Sequence, residues 1–194
     1  MAAIRAEHPS AEVQLWATDE ARVGLQPVTR CQWARVGQRP HSCGRPEYEW
    51  AYVYGFVEPA SGATWFYLWS GVDTELFELT LREFAAAYGL GPERQVVLLL
   101  DGAGWHSALA ARPARLPVGV HLVIQPPCSP ELQPAERLWP LTREALANRV
   151  FNSLDELEPV LIERCRQLNE QPEYIAALTD YHWWHEAVRE ALAA

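Results

Sequence analysis

The segment Val96-Val97-Leu98-Leu99-Leu100 is a run of five apolar residues that ends abruptly at Asp101. It is too short for a helix and carries no polar alternation. Such a run suits a strand covered on both faces, as in the middle of a parallel or mixed sheet. A carboxylate at its end then falls where the carboxyl ends of parallel strands open into a crevice. This one segment favours an α/β chain and makes Asp101 a candidate functional residue.

The surrounding pattern agrees. Val13 to Thr18 reads as a first strand ending at Asp19-Glu20, with Val23 to Val28 as its hairpin partner. Trp50 to Val57 and Thr64 to Trp69 are aromatic and β-branched runs joined by a Pro- and Gly-containing loop. From Thr74 to Tyr88 the apolar period changes to that of a helix, with Asp73 or Thr74 as cap and Gly89 as stop. Val118 to Gln125 is another strand. Helices are expected over about Pro134 to Asn148, over Ser153 to Asn169 with a Ser153/Glu156 capping box, and in a last segment to Ala194. The order predicts a mixed sheet that begins antiparallel and continues parallel through helical crossovers. It is compatible with a ribonuclease-H-like α/β fold. The expected organisation is a lead-in over 1–12, a ribonuclease-H-like domain over 13–170 with an arginine-rich loop at 21–46, and a C-terminal helical tail over 171–194.

Charge restricts the partners. The net charge is −9, from 16 basic and 25 acidic side chains, and every basic residue is arginine. That argues against a uniformly basic nucleic-acid coat or a polybasic membrane binder. It leaves room for a nuclease whose acidic site is offset by metal cations. The segment 21–46 stands apart: Arg22, Arg30, Arg35, Arg39 and Arg45 lie in it with no acidic residue. It is the candidate DNA-facing clamp, the alternative being a solvated hairpin. The four cysteines form no Cys-x-x-Cys pair, no stretch approaches a membrane span, and no apolar leader precedes the first strand. The expectation is a cytoplasmic protein with reduced thiols.

Three carboxylates occupy informative places: Asp19 after the first strand, Asp101 after the buried strand, and Glu136 near a later helix start. Taken singly, an Asp ending a strand is often only a turn residue, and a Glu on a helix is often only solvated. Crowded together, the three would repel unless protonated or neutralised, and Mg2+ or Mn2+ is the natural hard-oxygen partner. Trp105 and His106 follow Asp101 closely enough to line the same cleft. His106 is a candidate to touch a phosphate or orient water, or else to be a packed or capping histidine. Glu20 is expected on the opposite face from Asp19 and is secondary.

The wording around these acids resembles that of the DDE-superfamily transposases, in particular the bacterial insertion-sequence relatives of the mariner elements. The matching pieces are Trp16-Ala17-Thr18-Asp19-Glu20, Trp33 to Pro40, Leu100-Asp101-Gly102-Ala103-Gly104-Trp105-His106, and Gln125-Pro126-Pro127-Cys128-Ser129-Pro130-Glu131-Leu132-Gln133-Pro134-Ala135-Glu136. The 34 residues between Asp101 and Glu136 match that group's spacing. Cys128 stands where the family often has Tyr, and Gln133 where it often has Asn. The resemblance implies a ribonuclease-H-like catalytic core in which Asp19, Asp101 and Glu136 hold two divalent ions, cleavage at transposon ends, and strand transfer into target DNA. It further implies a homodimer on paired ends and a helix-turn-helix DNA-binding region, encoded separately or missing from a truncated copy. A repurposed domain that binds DNA or protein without cutting, or another ribonuclease-H-like nuclease, is the alternative.

Overall fold

The computed structural model describes residues 2–39, 47–184 and 186. Five strands form one sheet: β1 Glu12–Gly24, β2 Trp50–Glu58, β3 Ala63–Trp69, β4 Arg94–Leu100 and β5 Val120–Ile124, in spatial order β3-β2-β1-β4-β5. β1, β2 and β3 pair antiparallel, while β1, β4 and β5 pair parallel. The helices are α1 Ala2–Glu7, α2 Thr74–Ala87, α3 Gly104–Ala110, α4 Leu138–Glu144, α5 Leu154–Asn169 and α6 Pro172–Thr179. No helix among the described residues is long and apolar enough to cross a membrane.

The apolar run is central, as its composition requires. Val96, Val97, Leu98 and Leu100 are buried between β1 and β5. Val96, Leu98 and Leu100 face a cluster with Phe77, Leu81 and Phe84 of α2 and Leu109 of α3. Ala17, Val53 and Val57 face the opposite cluster, with Leu138 and Trp139 of α4, Leu157 and Leu161 of α5, and Ile175 of α6. The layers are therefore helix, sheet, helix. Trp184 is buried in the second cluster, so the stretch after α6 docks on this face. Residues 187–194 of the expected tail lie outside the described residues.

Caps fix the helix starts. Asp73 accepts from the amides of Glu75 and Leu76, both at 2.8 Å, a cap of the kind that contributes about 1 kcal/mol. Ser153 caps α5 through the Glu156 amide at 3.4 Å, while the Glu156 carboxylate takes the amide of Asn152 rather than that of Ser153. The capping box is thus displaced by one residue.

Three expectations are corrected. Val23 to Val28 is not a hairpin partner: β1 runs unbroken through Asp19 and Glu20, because β2 pairs with it from Ala17↔Val57 to Gly24↔Trp50. The arginine-rich segment consequently starts on a strand, with Arg22 on β1, and is not loop throughout. Pro134 to Asn148 is not one helix either. A 3-10 turn, Pro134–Arg137, precedes α4, and Asn148 ends the segment with a left-handed φ of 56°. There the Asn148 side chain accepts from the Arg30 amide at 3.0 Å and donates to the Arg30 carbonyl at 3.2 Å. Those side-chain bonds, with a bridge between Val28 and Ala147, tie the stretch after β1 to the end of α4.

Candidate active site

The parallel pairing of β1 with β4 ends at Ala17↔Leu99. Asp19 and Asp101 each lie two residues beyond that last pair. Asp19 is held in place by β2, opposite Gly55, while its β4-side edge is free. Asp101 follows the end of β4. Both acids therefore reach the crevice at the carboxyl ends of the parallel strands. A cleft of about 350 Å3 opens there, lined by Asp19, Asp101 and Glu136 together with the 125–130 segment and Gln133. Among the described residues no basic side chain lines it.

Asp19 is anchored from the α4 side. The indole Nε1 of Trp139 donates to its Oδ2 at 2.9 Å. Burial pushes the Asp19 carboxyl up to about 7; the Trp139 hydrogen bond pulls it down, and the charges of Glu136 and Glu20 push it further up. Its charged form has lost solvent, and the neighbouring acids add to that cost.

Asp101 is anchored from the other face. Its Oδ1 accepts from the Ala103 amide at 3.0 Å and lies 2.7 Å from Nδ1 of His106. The His106 hydrogen bond outweighs burial and holds this carboxyl below its ordinary value. His106 is fully buried, and its Nε2 lies 3.0 Å from Oε1 of Glu20. Trp105 donates to the other Glu20 oxygen at 3.4 Å. Burial alone would lower the imidazole pKa, but the hydrogen bonds and charges of Asp101 and Glu20 raise it to about 9.

These contacts correct two expectations. Neither Trp105 nor His106 lines the cleft, and a fully buried His106 cannot meet a phosphate; it stands behind Asp101. Glu20, rated secondary, is part of the support. The available signal was its parity: on an unbroken strand it must face away from Asp19, toward α3.

Glu136 sits on the Pro134–Arg137 turn, exposed at the cleft wall. Gln133 fixes that turn. It is buried, donates to the Thr18 carbonyl at 3.0 Å and accepts from the Ala135 amide at 3.4 Å. The residue preceding the turn is thus bonded to the β1 residue preceding Asp19.

Residues 14–158 match the family described as DDE superfamily endonuclease. The chain belongs to this superfamily. A relative in Sinorhizobium fredii (strain NBRC 101917 / NGR234), the uncharacterized protein y4pE/y4sA, is 32% identical over 139 residues, 71% of this chain and 99% of its own length. Among solved structures, the mariner Mos1 paired-end complex with Mg gives a TM-score of 0.59 at 20% identity, covering 84% of this chain and 55% of that one. The Mos1 strand transfer complex gives 0.56 at 19% identity, covering 84% and 54%. The DDE-superfamily chain therefore has the ribonuclease-H-like catalytic fold seen in Mos1, and spans about half the length of those transposase chains.

In this DDE-superfamily fold the donor chemistry suits a divalent cation. Among the described residues, three carboxylates and no cationic side chain share one cleft. Among the described residues, however, no three such groups are close enough together to hold a metal ion. Asp19 and Asp101 are anchored by side-chain hydrogen bonds, whereas Glu136 is exposed on a short turn.

The arginines divide into groups. Arg22 lies over the Trp50 ring at 4.3 Å, and Arg143 donates to the Arg22 carbonyl at 3.5 Å. Both border a cleft of about 420 Å3 at the far end of β1. Arg30 is paired with Glu144 at 3.0 Å. Arg35 and Arg39 are exposed on the stretch after β1, and Arg45 lies outside the described residues.

Proposed function

We propose that this chain acts as the catalytic core of a metal-dependent DNA transposase, with Asp19, Asp101 and Glu136 holding Mg2+ or Mn2+. The observation that carries this reading is the cation-poor cleft that the three acids line at the end of the parallel strands, in a chain of this superfamily. Two divalent ions on these carboxylates would supply the Lewis acidity that activates water and stabilises the leaving oxygen in phosphodiester displacement. The chain's own residues do the positioning. Trp139 orients Asp19, His106 and the Ala103 amide orient Asp101, and Gln133 fixes the turn that bears Glu136. Completing the ligand set then requires the three acids to draw closer together than they stand here.

Cleavage at a transposon end frees a 3′-hydroxyl, and attack of that hydroxyl on target DNA is strand transfer. Arg22, Arg35, Arg39 and Arg45 are the DNA contacts in this reading, Arg143 extends them, and Arg30 joins them by leaving Glu144. A dimer on paired ends and a separate helix-turn-helix region complete it. The Mos1 neighbours, a strand transfer complex and paired-end complexes with Mg and with Mn, support the metal and strand-transfer parts of this reading by analogy.

The test is nicking of DNA bearing the element's ends, with Mg2+ or Mn2+ and any separate DNA-binding subunit present. Asp101→Ala is expected to abolish nicking while the fold persists. Undiminished cleavage by that variant would refute the assigned site. Absence of cleavage by the wild type under these conditions would favour a domain that binds without cutting.

A further inference from the structure

Beyond Ala17↔Leu99 the sheet no longer joins β1 to β4, yet the two aspartates stand on the residues that follow. One side-chain chain spans that gap: Glu20 on β1, His106 on α3 and Asp101 after β4, linked at 3.0 and 2.7 Å. Each ring nitrogen of His106 thus lies within hydrogen-bond distance of a carboxylate oxygen. The other Glu20 oxygen accepts from Trp105, and the Phe77 ring packs on His106 at 4.4 Å. His106 and Glu20 are thus buried and fixed from several sides, while Asp101 stays half-exposed at the cleft. The linkage uses one Asp101 oxygen and leaves Oδ2 without a hydrogen bond among those described.

We propose that Glu20 and His106 are positioning residues that set the spacing of Asp19 and Asp101 and present the free Asp101 oxygen to the cation. Asp19 adjoins Glu20 on the same strand, so fixing Glu20 against His106 fixes the strand that carries Asp19. This rests on the reading of Asp101 as a metal ligand. Groups that orient ligating side chains typically matter ten- to a hundredfold in metal affinity.

The experiment measures Mn2+ binding calorimetrically on the full chain, with the DNA affinity in EDTA recorded alongside. Wild type, Asp101→Asn and the near-isosteric Glu20→Gln are compared. The expectation is that Asp101→Asn removes binding and that Glu20→Gln weakens it roughly ten- to a hundredfold, with the fold retained and DNA affinity little changed. Wild-type Mn2+ affinity in Glu20→Gln, beside loss in Asp101→Asn, would overturn the positioning role and leave the metal site standing. Absence of Mn2+ binding by the wild type would overturn both. If Glu20→Gln does not fold, Trp105→Phe, which removes only the indole hydrogen bond to Glu20, takes its place. Weakened Mn2+ binding is expected, and wild-type affinity overturns the positioning role.

Discussion

The six-membered ring of Trp139 lies against Gly55, where an added methyl carbon would sit 2.7 Å from the indole Cη2. Gly55 is also the residue opposite Asp19 in the β1–β2 register. The missing side chain is what admits the indole that hydrogen-bonds Asp19. Gly55→Ala is expected to destabilise the fold by about 1–3 kcal/mol through overpacking, and to weaken Mn2+ binding by displacing Trp139. Denaturant unfolding and calorimetry check the two effects. A variant as stable as wild type would show that the ring shifts freely.

Metal binding should depend on pH through Asp19. Its carboxyl is raised to about 7, chiefly by burial. Below that pH a proton occupies the site that a cation needs, so Mn2+ affinity is expected to rise as pH increases through about 7, up to about tenfold per unit. Trp139→Phe removes the hydrogen bond that lowers this pKa and should shift the dependence to higher pH. An affinity independent of pH between 6 and 8 would contradict the assignment.

His106 gives the metal-free protein a dependence of the opposite sign. Its pKa is about 9 in the fold against 6.5 for an unperturbed imidazole. The folded state therefore keeps a proton that the unfolded chain releases. The resulting stabilisation is complete below 6.5 and is lost as pH rises through 9. Urea midpoints measured in EDTA at pH 6.5 and 9 should fall with pH, and Glu20→Gln should flatten that slope.

Gln133 should be sensitive to loss of its amide. Gln133→Leu keeps much of the volume but removes the donor to the Thr18 carbonyl, which lies at a buried residue. An unsatisfied buried acceptor costs about 1–3 kcal/mol. Amide exchange over residues 126–137 should also speed up if Gln133 pins that segment, and unchanged exchange would argue that the prolines alone hold it.

Cys165 supplies a check on the helical layer over Ala17 and Val57. Burial pushes its thiol up to about 12. Alkylation at pH 8, followed by peptide mass spectrometry, should leave Cys165 unmodified in the folded protein, while the exposed Cys31 and Cys128 react.

What the sequence determined by itself was local and compositional. An unbroken apolar run has to be a covered strand, so Val96 to Leu100 placed Asp101 at a strand end. A change of period, with a capping Asp and a stopping Gly, placed α2 almost to the residue. The motifs around Asp19, Asp101 and Glu136 were legible as a family resemblance, and the family match bears it out.

Tertiary structure decided what depends on partners distant along the chain. Asp-Glu reads as a strand end because such residues are poor in strands, yet β2 pairs through them and keeps β1 straight. That continuity turns Glu20 toward α3, where it meets His106, 86 residues away. A histidine near an aspartate has the same letters whether it faces solvent or the core. Only the packing of α3 on the sheet buries it, and only burial makes its two carboxylate partners necessary.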